Sequence, residues 1–169
     1  SKDEMFTEIR SRVFDNFAAY LEAAIERSTA PFPRLVRYCY AYIEFGKQGP
    51  ADYRFIFDIW PRSQYEIVRR QEGTGVLART RSFGIQLQIA AEMLDADINS
   101  RPVIESAHVM WQSLHGLVSL HTAKKLGFGM GADALVKPTI QAIVNGLFGK
   151  HIENHAFRRP QLPVVAGLI

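Results

Sequence analysis

The sequence is poor in the features that would place it in several common classes. It holds a single cysteine, Cys39, in 169 residues, which excludes an intramolecular disulfide framework and any zinc site built on several thiolates. It lacks a block of like charge: 20 basic and 17 acidic residues are interleaved for a net charge of +3, so no Lys/Arg stripe marks a nucleic-acid or membrane footprint. Its 12 glycines and 8 prolines are too few for a collagen-like or low-complexity chain. The longest stretch without Asp, Glu, Lys or Arg runs from Ser106 to Ala123 and carries His108, Gln112, His115, His121 and several hydroxyls. That is too polar for a membrane span, so it must be buried in protein. The opening residues lack the charged-then-apolar pattern of a signal peptide. With one cysteine, this points to a cytoplasmic chain, and the start at Ser1 reads as an excised or processed piece.

What is present fits one soluble domain. Hydrophobic residues make up 47% and charged residues 22%, and a chain of this length can bury about 70% of its extended surface around one core. Met5, Phe6, Ile9, Val13, Phe17, Leu21, Ala24 and Ile25 follow the three-and-four spacing of a helical face, which predicts a long amphipathic helix. Ser1-Lys2-Asp3-Glu4 has the form of a capping box at its start. Pro31 and Pro33 end that helix and open a second one to about Phe45, and Gly49-Pro50 breaks it before a short third helix. A fourth is expected from about Val76 to Leu94, a fifth from about Val103 until Gly127, and a last from Ala132 to Phe148. No segment reads as a convincing strand, so the expected fold is all-α, an orthogonal bundle of about six helices spanning residues 1–149. Residues 150–169 read as a loosely attached C-terminal tail whose apolar end is free to dock.

The last two helices carry a further implication. The stretch from Pro138 to Gly149 also holds no charged residue, whereas an ordinary surface helix keeps a charged face toward water. Two such helices are either central in one chain or covered by a second copy about a two-fold axis. Large exposed apolar patches are rare on monomers, which favours a homodimer. The expected four-helix interface consists of Leu117, Leu120, His121, Ile140, Ile143, Val144 and Leu147.

Three segments, in the family's order along the chain, are similar to a known family. Met110-Trp111-Gln112-Ser113-Leu114-His115-Gly116 resembles the W-x-x-x-H-G pattern in the C-terminal domain of a subgroup of TetR-type bacterial transcriptional regulators. Ser1-Lys2-Asp3-Glu4-Met5-Phe6 resembles the segment that follows the helix-turn-helix in that family. Tyr53-Arg54-Phe55-Ile56-Phe57 is similar to its short pocket helix. The resemblance covers about residues 1–149, and the DNA-reading helices are missing from it. It implies a ligand-binding and dimerisation domain of a repressor, reaching operator DNA only through the missing N-terminal domain. A small effector would act by binding two states with different affinity.

A pocket between helices is mostly apolar and aromatic with a few polar groups. The candidates are Tyr38 and Tyr42, Phe57 and Trp60, Phe83 and Gln86, and Trp111 with His115, and their composition suits a small hydrophobic or aromatic effector. Core packing is the competing reading for each aromatic taken singly. His115 stands one turn after Trp111, where it can hydrogen-bond an effector or sit satisfied in the core. No metal or cofactor is expected. His108 and His115 lie too far apart along a helix to share a metal ion, and His151 with His155 is a weak pair. Gly127-Phe128-Gly129-Met130-Gly131 departs from the dinucleotide fingerprint, and no Ser-His-Asp order or paired carboxylates suggest an enzyme. A helical protein-interaction module without a small ligand is the alternative.

Overall fold

A computed structural model describes residues 2–58, 81–149 and 157–165. Its described helices are α1 (Lys2–Ile25), α2 (Pro31–Gln48), α3 (Pro50–Phe57), α4 (Arg81–Leu94), α5 (Arg101–Thr122) and α6 (Ala132–Phe148). No strand occurs among the described residues, so the all-α expectation holds. The capping residue Ser1 and the segment expected to open α4 lie outside the described residues.

Local chemistry sets the helix boundaries. Ala30 and Gly49 directly precede prolines and adopt non-helical backbone, as the clash with a following proline ring favours, and Ser100 is the extended N-cap of the helix that opens Arg101-Pro102. Proline then occupies the first turn of α2, α3 and α5, where a missing N–H costs nothing. The α4 and α5 ends share another device. Asp95 and Lys124 take positive φ, and the amides of Ala96 and Lys125 bond back to Ala91 and Leu120 at 3.1 and 2.9 Å. That is the Schellman closure, which satisfies the last free carbonyls. It ends α5 at Thr122, short of the Gly127 stop expected from sequence.

α2 is the hub, packed against α1, α3, α4, α5 and α6. Leu35, Val36, Tyr38, Cys39, Ala41, Tyr42, Ile43, Phe45 and Gly46 are all buried, more than one face of a helix. Its remaining polar side chains reach neighbouring elements. Arg34 pairs with Glu92 of α4 at 2.6 Å, and Lys47 with Asp133 of α6 at 2.5 Å. Arg37 donates to the carbonyl of Ala24 at 2.5 Å. One buried charge on α1 also has an identifiable function: Arg10 donates to the Ile56 carbonyl at the C-terminal end of α3, where the helix dipole favours a cation. Its guanidinium lies over the Phe14 ring, and burial lowers its pKa to about 10.

The tail differs from its sequence reading. Phe157 is fully buried, edge-on to Phe32 at 5.5 Å, and its carbonyl accepts from the Tyr40 hydroxyl at 2.9 Å. Arg37 donates to the Gln161 carbonyl, Arg159 pairs with Glu44, and Leu162 and Val165 pack on the core. Residues 157–165 are therefore seated along the outer side of α2 and are not loosely attached. A lone aromatic among charged neighbours gives no periodic signal, so the sequence does not reveal this docking.

Candidate functional site

The site forms where α2, α3, α4 and α5 meet, each supplying a pair of side chains one helical turn apart on one face. The pairs are Tyr38 and Tyr42, Tyr53 and Phe57, Phe83 and Gln86, and Trp111 and His115. Tyr53 and Phe57 lie with ring centroids 4.7 Å apart, and His115 stacks on Tyr53 at 5.6 Å and tilts against Phe57 at 5.3 Å. Trp111 meets Phe57 at 6.4 Å and Phe83 edge-on at 6.3 Å. Phe83 also contacts His108 at 5.0 Å.

These residues form two layers. Tyr38, Tyr42, Tyr53 and Gln86 are no more than 1% exposed and make up the inner layer. Phe57, Phe83, Trp111 and His115 are half-buried and form the rim. Of the expected ligand residues, the structure thus brings seven together, with Tyr38, Tyr42 and Gln86 behind the rim. Trp60 lies outside the described residues, as do His151 and His155. Sequence reasoning missed Tyr53, although its one-turn spacing from Phe57 was available as a signal. Ser119 and His108 were also missed, and their polarity alone does not single them out.

A hydrogen-bond chain runs through the cluster. The Tyr42 and Tyr53 hydroxyls are 3.0 Å apart, Tyr53 lies 2.6 Å from His115 Nδ1, and His115 Nε2 is 3.2 Å from Ser119 Oγ. Either hydroxyl of the Tyr42–Tyr53 pair can donate, and the roles at His115 follow its tautomer. A neutral imidazole, donor at one ring nitrogen and acceptor at the other, fits both of its contacts. A second branch anchors the other side: Tyr38 donates to Gln86 Oε1 at 2.9 Å, and Gln86 donates to the Ala107 carbonyl at 2.5 Å. Burial pushes the Tyr38, Tyr42 and Tyr53 hydroxyls well above the ordinary tyrosine range, so they remain protonated.

Burial likewise lowers the His115 pKa, and the nearby Asp58 carboxylate only partly opposes it. Because the folded value lies below the unfolded one, the unfolded chain binds more protons as pH falls below about 6.5. Stability is full above that pH and declines below it until His115 titrates in the fold. Asp133, held below the usual carboxylate range chiefly by Lys47, gives the same sign at more acid pH. Urea melts from pH 7.5 to 5 on the chain and on His115→Leu are expected to show a shallower pH slope in the variant. Parallel slopes would contradict this assignment.

The expected dimer residues separate by burial. Leu117, Ile140, Ile143 and Val144 are at most 6% exposed in the single chain, because they close α5 against α6 and α2. They are core positions of the single chain. Leu120 is 45% exposed, while His121 and Leu147 are half-buried. The outward side of the two helices instead carries Val109, Gln112 and Leu120 on α5, and Pro138, Ala142, Asn145 and Gly146 on α6. It contains no charge between Ser106 and Ala123 or from Pro138 to Gly149.

A separate apolar groove of about 320 Å³ lies on the opposite side of α3, lined by Met5, Phe6, Ile9 and Phe55 with Lys2 and Asp52 at its edge. Cys39 is fully buried and burial raises its pKa, so it is an inert thiol. Among the described residues, no helix is long and apolar enough to cross a membrane.

Comparison with known families supplies one match. A family model described as "Tetracyclin repressor-like, C-terminal domain" matches residues 35–143, a span that runs from α2 into α6 and includes every described site residue. No curated protein sequence and no solved structure matches the chain.

Proposed function

The chain belongs to the tetracyclin repressor-like C-terminal domain family, and on that footing we propose that it is the effector-binding and dimerisation domain of a TetR-type transcriptional repressor. The Trp111, His115 and Gly116 spacing supports the W-x-x-x-H-G subgroup within this proposal. The observation that carries the reading is the half-buried rim of Phe57, Phe83, Trp111 and His115 over a hydrogen-bonded inner layer. A small hydrophobic or aromatic molecule covers that rim, with ring faces supplying area and His115 the nearest polar group. The inner chain already satisfies its own donors and acceptors, so recognition rests on shape and aromatic contact. In the whole regulator, a helix-turn-helix precedes α1, and the ligand changes operator affinity by favouring one spacing of the two reading heads. The domain performs no chemistry on its ligand.

Thermal unfolding in the presence of a panel of neutral aromatic compounds tests this reading. At least one compound at about a hundred times its Kd is expected to stabilise the chain by about 2.7 kcal/mol, and Trp111→Leu is expected to remove that shift. A shift that survives in the variant would place the ligand elsewhere. The complete internal satisfaction of Tyr38, Tyr42 and Gln86 also suits the second reading, a protein-interaction module with a filled core. A panel without any stabilising compound would favour that one.

A further inference from the structure

We propose that the outer side of α2 is a docking groove for an extended partner segment of the pattern Phe-x-Arg-Pro, and that residues 157–165 occupy it as a releasable strap. The Phe157 ring fills the groove, fully buried edge-on to Phe32. The Tyr40 hydroxyl and the Arg37 guanidinium donate to the carbonyls of Phe157 and Gln161 at 2.9 and 2.6 Å, and Glu44 holds Arg159 at 2.9 Å. Residues 158–165 form neither helix nor strand, and Pro160 and Pro163 lack the N–H that either would use. Carbonyls are common to every peptide, so the Tyr40 and Arg37 bonds are open to a segment from another chain. The Phe pocket and the Glu44 carboxylate supply the selectivity. Arg37 also donates to the Ala24 carbonyl at 2.5 Å, which keeps it aimed when the strap leaves.

An orphaned hydroxyl marks the strap as releasable. Tyr20 is 6% exposed, and its buried hydroxyl has no hydrogen-bond partner among the described residues, which is costlier than a bonded state. Burial raises its pKa to about 12, with Glu44 adding to the rise and Arg159 opposing it, so both members of that ion pair lie near it. While Arg159 holds Glu44 Oε2, the Tyr20 hydroxyl makes no bond to it. Once the strap leaves, Glu44 keeps Lys47 at 3.7 Å and accepts from Tyr20. The released state recovers a bond that the seated one lacks, and the exchange is the opening of one segment, short of global unfolding.

The test uses the full chain and a fluorescent peptide of residues 157–165, read by anisotropy. The peptide is expected to bind Phe157→Ala combined with Arg159→Ala at least about tenfold more tightly than the parent, whose tethered strap competes at about millimolar effective concentration. Arg159→Ala alone, which removes only an exposed pair, gives a smaller gain of the same sign and carries the test should the double variant lose its helical circular dichroism. Replacing the peptide's Phe by Ala, or the Arg two positions on by Glu, weakens binding at least about tenfold. Adding Tyr20→Phe to either variant tightens binding about threefold, since no Tyr20–Glu44 bond is then given up. A hydroxyl with a merely structural role would not produce that gain. A peptide that binds these variants no better than a scrambled control overturns the groove, and binding unchanged or weakened by Tyr20→Phe overturns the release step.

Discussion

Phe157→Ala is expected to lower the unfolding free energy by about 3–5 kcal/mol, although the residue lies beyond the last helix. The ring is fully buried against Phe32, and truncation leaves a cavity between the C-terminal segment and α2. The Tyr40 hydroxyl depends on the Phe157 carbonyl, so loosening the segment also frees a half-buried donor. Arg159→Ala is the contrast. Its pair with Glu44 is more than half exposed on the arginine side, and such pairs contribute about 0–1 kcal/mol. Urea denaturation of both variants separates an integral segment from an appended one. A loss below about 1 kcal/mol for Phe157→Ala would mean that the body folds independently of it.

Gly46→Ala should also destabilise the chain, by about 2 kcal/mol, against the usual helical preference for alanine. In an open helix the exchange stabilises by about 1 kcal/mol. Here a Cβ would overlap Val118 Cγ1 of α5 and come within 3.1 Å of the Tyr53 ring. Val118 is β-branched and fully buried, so its χ1 has little freedom and the strain passes to the α2–α5 packing, and overpacking of this kind costs about 1–3 kcal/mol. Val118→Ala in the same chain is expected to recover part of the loss, since it removes the colliding methyl. Additive losses in the double variant would show that the two residues do not share this contact. The displacement also bears on the site, because the Tyr53 ring that the new Cβ approaches belongs to the Tyr42–Tyr53–His115 chain.

Much of the fold follows from local chemistry and is visible in the sequence. Pro31, Pro33 and Gly49-Pro50 mark the ends of α2 through backbone sterics alone, and the apolar spacing of α1 persists from Phe6 to Ile25. The aromatic pairs of the site are visible for the same reason: one-turn spacing puts Tyr38 with Tyr42, and Trp111 with His115, on common faces. What the spacing does not encode is depth. It assigns Tyr42 and Phe57 the same role, whereas the packing of α2 at the centre puts Tyr42 behind the rim and Phe57 in it.

The dimer residues show the same limit more sharply. A helix without charges has two apolar sides, and sequence does not tell which faces its own chain. Ile140 and Val144 are the most hydrophobic choices and are taken by the core. The side left open carries smaller, less conspicuous residues such as Gly116, Pro138 and Ala142. Phe157 and the Schellman cap at Lys124 were invisible for another reason, since each depends on contacts or dihedrals that no periodicity reports.

The most direct test of the central claim is the native mass spectrum of the purified full chain, which reports subunit number and retained small molecules together. The account predicts a dimer, with a discrete low-mass adduct that disappears in Trp111→Leu. A bare monomer would contradict it, removing both the two-fold interface and the effector on which the regulator reading depends.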